Sequence, residues 1–324
     1  MTRPADDERL AVDLAGLRLR SPVLLAAGTA GYADELADAI DLRRVGGVVT
    51  KSITAEPRAG NETWRVAEVP GGMLNAIGLA NVGADRFRDE IAPRLSAAPA
   101  TVIGSIAGHS AEEYARVARM FDAIDTVPAV EVNVSCPNVA DGSVFGEAPD
   151  ALGRLVAALR PALARTKLIV KLPPAAGGDG PAASIVSLAR AAIDAGADGL
   201  TIANTIPAMA VDPETREPLL ANVTGGLSGP AVHPVIVRLV HLAHRHAARQ
   251  SQVPIIAVGG VVSWRQAAEF ILVGASAVQV GTATFADPRA PLKILSGLGR
   301  WVRRQGVASV MDLVGAVRLP GGAR

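Results

Sequence analysis

The stretch Ile255-Ile-Ala-Val-Gly-Gly-Val-Val-Ser-Trp-Arg-Gln-Ala-Ala-Glu-Phe-Ile-Leu-Val-Gly-Ala-Ser-Ala-Val-Gln-Val-Gly-Thr282 decides the fold of this chain. It reads as one complete strand–helix–strand unit. Ile255–Val258 is short and wholly apolar, as a parallel strand covered on both faces should be. Trp264–Val273 is amphipathic at helical spacing. Within Val-Gly-Ala-Ser-Ala (273–277) a glycine stands where that helix must stop before the strand Ala277–Val280. Each strand runs straight into a polar or glycine pair, Gly259-Gly260 and Gly281-Thr282.

The same unit recurs toward the N-terminus. Apolar runs at Val23–Ala26, Gly47–Lys51, Thr101–Ile106, Ala129–Val134, Leu168–Lys171 and Gly199–Ala203 predict six more strands. Between strands, the spacing predicts helices over Ala33–Leu42, Ala84–Leu95, Ala111–Phe121, Pro149–Ala164, Ala182–Ala195 and Val232–Arg249. Ala-Gly-Ala-Asp-Gly (195–199) repeats the glycine stop. Eight strands with interposed helices predict an α/β fold, a (β/α)8 TIM barrel, as a single domain over residues 1–324. Leu10–Leu19 alternates around Ala15-Gly16 and predicts a β-hairpin at the barrel bottom. A doubly wound sheet is the competing architecture. It would want a Gly-x-Gly-x-x-Gly turn after the first strand, which Ala27-Gly28-Thr29-Ala30-Gly31-Tyr32 does not supply.

Composition narrows the function. Hydrophobic residues make up 49% and charged residues 19%, which excludes intrinsic disorder; with only 3% aromatic, Ala, Val, Leu and Ile must build the core. Lys+Arg (32) nearly balances Asp+Glu (31), so no broad basic field invites nucleic acid. No apolar stretch reaches the roughly 20 residues needed to span a bilayer, and Met1–Leu10 is too polar for a signal peptide. These features predict a cytoplasmic protein without a membrane partner. The single cysteine, Cys136, rules out an intramolecular disulfide, a cysteine-ligated iron–sulfur cluster and a cysteine-rich zinc site within the chain. His241, His244 and His246 share one predicted helix beside Arg245 and Arg249 with no carboxylate to complete a metal site, so they read as a solvated face and no metal is expected. His109 and His233 fall near helix starts with no visible partner.

The chemistry of such a barrel sits at the C-terminal ends of its strands. There the chain places Lys51-Ser52, Asn133-Val-Ser-Cys136-Pro-Asn138, Lys171, Asn204-Thr205, Gly259-Gly260 and Gly281-Thr282. Glycines after strands seven and eight leave backbone N–H groups open to a phosphate. Thr224-Gly-Gly-Leu-Ser-Gly229, before a helix, is a third phosphate candidate. A lysine at a strand end either joins a buried ion pair or supplies a cation for an anionic substrate or reduced cofactor. Asn75, Asn133, Asn138 and Asn204 can each donate and accept, which suits the amide edges of a planar heterocycle. Cys136, just past strand four, could serve as nucleophile or as general base.

Four segments carry a family resemblance: Gly72-Met-Leu-Asn-Ala-Ile-Gly-Leu79, Asn133-Val-Ser-Cys-Pro-Asn-Val139, Leu220-Ala-Asn-Val-Thr-Gly-Gly-Leu-Ser-Gly-Pro230, and Val280-Gly-Thr-Ala283 followed by Phe285-Ala-Asp-Pro288. By these motifs the chain resembles the dihydroorotate dehydrogenases of the soluble, cysteine-dependent class, over about Val12 to Pro288. It is most similar to the catalytic subunit of the NAD-linked two-subunit type, the Ile206–Val223 loop included.

The resemblance implies FMN as cofactor and oxidation of (S)-dihydroorotate to orotate in pyrimidine synthesis. It implies Cys136 as the catalytic base for the C5 proton. It implies substrate contacts from Lys51, Asn75, Ala76, Ile77, Gly78, Leu79, Asn133, Asn138, Asn204 and Thr205. Flavin contacts would come from Ala27, Lys51, Ser52, Ser105, Asn133, Lys171, Ala203 and Gly229, and phosphate contacts from Gly259, Gly260, Gly281 and Thr282. It further implies a homodimeric core and a partner subunit carrying FAD and an iron–sulfur cluster, because this chain has neither a dinucleotide turn nor cluster cysteines. The pattern is broken at Ser105, Pro173, Ala175 and Thr284, where the family often has other residues, and residues 175–182 look longer than usual. Two other flavoenzymes compete, a stand-alone fumarate-reducing dihydroorotate dehydrogenase and a dihydropyrimidine dehydrogenase-like enzyme. A flavin-binding assembly subunit without catalysis is the non-enzymatic alternative, and Cys136 with both lysines argues against it.

Overall fold

The computed structural model of the chain describes residues 8–32, 34–135, 145–175 and 184–320. Its centre is a closed barrel of eight parallel strands: β1 (Val23–Leu25), β2 (Gly47–Val49), β3 (Thr101–Ile106), β4 (Ala129–Asn133), β5 (Lys167–Leu172), β6 (Gly199–Ile202), β7 (Ile255–Val258) and β8 (Ala277–Val280). Neighbours in the barrel are neighbours in sequence. The ring closes where Val278 of β8 pairs with Val23 of β1. All eight expected strands are present, and their apolar runs are buried on both faces because helices cover the outside. The hairpin is present too: Val12–Leu14 pairs antiparallel with Leu17–Leu19, and the turn residue Gly16 approaches Lys167 at the N-terminal start of β5. Leu10, Val12, Leu14 and Leu19 are buried there, so the hairpin closes the bottom of the barrel.

Helix starts follow local hydrogen-bonding chemistry. Ser184 and Ser263 each form a capping box, with Ser187 and Gln266 respectively, and Ser110 accepts the Glu113 amide. The glycine stops hold: Gly196 and Gly274 have φ of 101° and 122°.

Three features depart from the sequence expectation. Ala33–Leu42 is not a helix over its described residues; it forms turns leading into a 3-10 turn at Leu42–Arg44. The Glu35 carboxylate accepts from the backbone N–H of Tyr32 and of Asp34, an arrangement that competes with a helical ladder. A sixteen-residue helix, Ala290–Gln305, lies outside the expected set. Its interior glycines weaken the pattern, yet Gly297 is required where the helix presses on Trp264, since a Cβ there would lie 2.6 Å from the Trp264 Cβ.

The third departure is a four-stranded antiparallel sheet, in the order Ile206–Ala208, Gly225–Ser228, Gly72–Asn75 and Val66–Val69. Its residues contribute to the wall of the cavity described next.

Candidate active site

A cavity of about 430 Å³ opens at the C-terminal ends of the barrel strands, where a barrel of this type holds its chemistry. The turns after β7 and β8 form one side of it. Gly259 and Gly260 have φ of 145° and 68°. A Cβ at Gly260 would lie 2.7 Å from the Gly229 carbonyl oxygen, and one at Gly259 would lie 2.8 Å from Ile236. Only glycine fits either position, so bare backbone faces the cavity together with Gly281 and Thr282. The Thr284 hydroxyl donates to the Gly281 carbonyl at 2.9 Å and braces the second turn from behind.

Thr224–Gly229 takes a different form from the loop expected. Gly225–Ser228 is a strand of the small sheet, and Ser228 and Gly229 reach the cavity from it. Gly229, at φ 104°, passes so close to Gly72 that a Cβ would lie 2.6 Å from the Gly72 Cα.

The turn that follows Asn75 also lines the cavity. Asn75 donates to the Gly226 carbonyl at 3.1 Å. Asn61 holds the next residues, its side-chain amide donating to the Ala76 carbonyl at 3.0 Å and its backbone N–H to Ile77 at 3.1 Å. Leu79 has φ 56°, an unfavourable value for a leucine, and it persists because Asn81 fixes the turn. The Asn81 Nδ2 donates to the Leu79 carbonyl at 2.7 Å and to the Thr54 hydroxyl at 2.8 Å. Its Oδ1 accepts from Gly83 at 2.8 Å and Thr54 at 3.2 Å. Asn61 and Asn81 escaped the sequence reading, since a lone asparagine beside a turn carries no distinguishing signal.

Polar residues from four strands line the cavity too. Lys51 and Ser52 follow β2, Asn133 ends β4, Lys171 lies in β5, and Asn204 and Thr205 follow β6. Asn204 Nδ2 donates to Asn133 Oδ1 at 3.1 Å, and Ser135 N–H donates to the same oxygen at 3.2 Å. These bonds fix the Asn133 amide and leave its Nδ2 as a donor. Lys171 satisfies both sequence-level readings at once: it lines the cavity, and its Nζ lies 3.6 Å from Glu131 Oε1 inside the barrel.

Of the residues implied by the resemblance, Ala27, Lys51, Ser52, Asn75, Ile77, Gly78, Leu79, Asn133, Lys171, Ala203, Asn204, Thr205, Gly229, Gly259, Gly260, Gly281 and Thr282 all line this one cavity. Two stand behind it. Ser105 is fully buried with its hydroxyl 2.8 Å from that of Ser52, and Ala76 supports the Asn75 turn through its backbone. Cys136 and Asn138 lie outside the described residues.

The histidines are less bland than expected. His233 is buried behind Gly259, with Nδ1 3.2 Å from the Gly259 carbonyl and Nε2 3.1 Å from Glu269. His109 lies 2.6 Å from an Arg58 guanidinium nitrogen. His241 and His244 are only half-exposed; burial first, then neighbouring Arg245 and Arg249 respectively, pushes both imidazoles below their ordinary range. Burial pushes the Tyr32 phenol up, and its oxygen accepts from the Val82 N–H at 3.3 Å.

A sequence model of the dihydroorotate dehydrogenase family matches residues 9–302. The chain belongs to this family. It is 49% identical over 309 residues to the dihydroorotate dehydrogenase B (NAD(+)) catalytic subunit of Pelobacter propionicus, covering 95% of this chain and 98% of that one. The subunits of the same name from Trichlorobacter lovleyi and Bacteroides thetaiotaomicron are 47% and 40% identical, over 95% and 96% of this chain and 98% and 99% of theirs. Among solved structures, the dihydroorotate dehydrogenase of Eimeria tenella, in complex with ferulenol, superposes with a TM-score of 0.80 at 23% identity, covering 97% of this chain and 90% of that one. That likeness speaks to the barrel alone. Members of the family are generally flavin-dependent. Among the described residues no helix is long and apolar enough to cross a membrane.

Proposed function

We propose that this chain is the catalytic subunit of an NAD-linked dihydroorotate dehydrogenase, oxidising (S)-dihydroorotate to orotate in pyrimidine synthesis. The observation that carries the reading is the cavity itself. Its lining brings together a glycine cradle, the Asn75–Leu79 turn, two lysines and the hydrogen-bonded Asn133–Asn204 pair.

The residues present fit FMN. Gly259, Gly260, Gly281 and Thr282 would take its phosphate, because Gly259 and Gly260 admit no side chain and leave backbone open there. Ala27, Ser52, Lys171, Ala203 and Gly229 would flank its ring system. When bound, FMN supplies the acceptor for the hydride leaving C6 of the substrate.

The chain's own residues do the rest. Cys136 removes the C5 proton as general base, a role it draws from its place in Asn133-Val-Ser-Cys-Pro-Asn138. Asn75, Asn133, Asn138, Asn204 and Thr205, with the braced turn through Leu79, hold the ring of the substrate against the flavin side. Lys51 balances the substrate carboxylate and, with Lys171, the negative charge that accumulates during reduction. Electrons then pass to a partner subunit carrying FAD and an iron–sulfur cluster, and so to NAD, with two catalytic chains forming the core of the assembly. An exposed apolar rim at the cavity mouth, Val66, Val262 and Phe285, supports a partner seated there. We place the reaction in the cytoplasm, where the substrate and NAD are both soluble.

The test is purification of the full chain with its absorption spectrum and an acceptor assay. A yellow protein whose extract contains FMN, and which passes electrons from dihydroorotate to NAD only with a partner, is expected. A chain that binds no FMN overturns the reading; efficient fumarate reduction without a partner overturns its NAD-linked part.

A further inference from the structure

Beneath the cavity floor the barrel interior holds a polar cluster in a layer where branched aliphatic side chains are usual. Glu131 of β4 is fully buried. Its Oε2 accepts two hydrogen bonds, from the Thr201 hydroxyl of β6 at 2.8 Å and from Gln279 Nε2 of β8 at 2.6 Å. Its Oε1 has no hydrogen-bond partner and instead faces Lys171 Nζ of β5 at 3.6 Å. Four strands therefore converge on one carboxylate. The Gln279 amide cannot be turned round, because its carbonyl would then meet the carboxylate oxygen.

The arrangement is lopsided in an informative way. Two donors hold Oε2 rigidly, while the ammonium stays within ion-pair range of Oε1 but beyond a hydrogen bond. Lys171 is 7% exposed and Gln279 fully buried, yet both contribute to the cavity wall. The same ammonium that faces Oε1 at 3.6 Å also lines the cavity, so the ion pair sets where the lysine stands in its wall.

We propose that Glu131 is a positioning residue: it holds the Lys171 ammonium in place at the floor of the cavity, so that Lys171 stabilises negative charge on the reduced flavin. Thr201 and Gln279 fix the carboxylate that does so. The inference rests on the reading that this cavity takes FMN.

The sign of one measurement separates this role from its alternatives. A carboxylate acting only through its field disfavours a reduced, anionic flavin, so removing it should favour reduction. A carboxylate that only closes the barrel should leave the flavin untouched. A positioning carboxylate gives the reverse of the field effect, because a buried ammonium stripped of its partner turns away.

The experiment titrates full-length apo-protein with oxidised and with reduced FMN. It uses the parent, Glu131→Gln, Lys171→Met and the double variant. Glu131→Gln should lower the preference for reduced over oxidised FMN at least tenfold, about 30 mV for a two-electron couple. Lys171→Met should move it the same way, and adding Glu131→Gln to Lys171→Met should change it less than threefold. An increased preference, no change, or an undiminished effect in the Lys171→Met background overturns the proposal. If Glu131→Gln does not fold, Gln279→Met carries the test, since it removes one tether from Oε2 and keeps the charge pair. A smaller drop that vanishes without Lys171 supports the proposal, and no drop overturns it. A parent chain that binds neither form of FMN overturns the cofactor reading itself, an outcome distinct from all of these.

Discussion

Replacing Gly260 by alanine should weaken FMN binding in a protein that still folds. Gly260 has φ 68°, and a non-glycine residue there costs about 1–2 kcal/mol. The added methyl would lie 2.7 Å from the Gly229 carbonyl oxygen and 2.8 Å from the His233 Cβ. Neither neighbour gives way readily. The first is backbone, and the second is held by Gly259 and Glu269. Overpacking of this kind adds about 1–3 kcal/mol. The turn relieves the strain by moving, which displaces the N–H groups that would face the phosphate. A loss of at least about 2 kcal/mol in binding follows, roughly thirtyfold in Kd. The assay is quenching of FMN fluorescence on apo-protein, with a melting curve beside it. Gly306→Ala is the control: it has φ 71° at the end of Ala290–Gln305, with nothing within 4 Å of a Cβ. It should lower Tm slightly and leave Kd unchanged. A folded Gly260→Ala protein that binds FMN within threefold of the parent would refute the cradle.

Three further outcomes are expected. Cys136→Ser should slow reduction of bound flavin by dihydroorotate by about 10²–10⁴-fold while FMN stays bound, read by stopped-flow absorbance. Asn81→Ala removes four hydrogen bonds from a buried site and should cost about 2–4 kcal/mol in denaturant unfolding, with KM for dihydroorotate rising as the Asn75–Leu79 turn loosens. Partial burial pushes the Asp122 carboxyl up, but Thr166 and the Arg165 N–H more than reverse it and hold it below its ordinary range. Its stabilisation is therefore present at neutral pH and is lost as pH falls below the ordinary carboxylate range to where the folded carboxyl takes up its proton. Asp122→Asn should lower Tm at pH 7, and the gap should close on acidification.

The barrel was legible because the β-runs are mostly apolar on both faces and two αβ junctions carry a glycine stop, Gly196 and Gly274. The glycine pairs and strand-end polar residues were legible for the same reason, since the fold dictates where strand ends point. Other features depended on partners distant in sequence. The Glu35 carboxylate turned an apparent helix over Ala33–Leu42 into turns. The small sheet is built from strands of three or four residues without alternation, so Gly225–Ser228 resembled a phosphate loop until Gly72–Asn75 was seen beside it. Glu131 sits within an apolar run, and only its convergence with Lys171, Thr201 and Gln279 reveals a purpose.

The central claim is that this cavity transfers hydride from dihydroorotate to a bound flavin. Anaerobic titration of the FMN-loaded full chain with (S)-dihydroorotate, following the flavin absorbance and the orotate formed, tests it most directly. The account predicts complete bleaching with one orotate formed per flavin. Bound FMN that stays oxidised under excess dihydroorotate would contradict it.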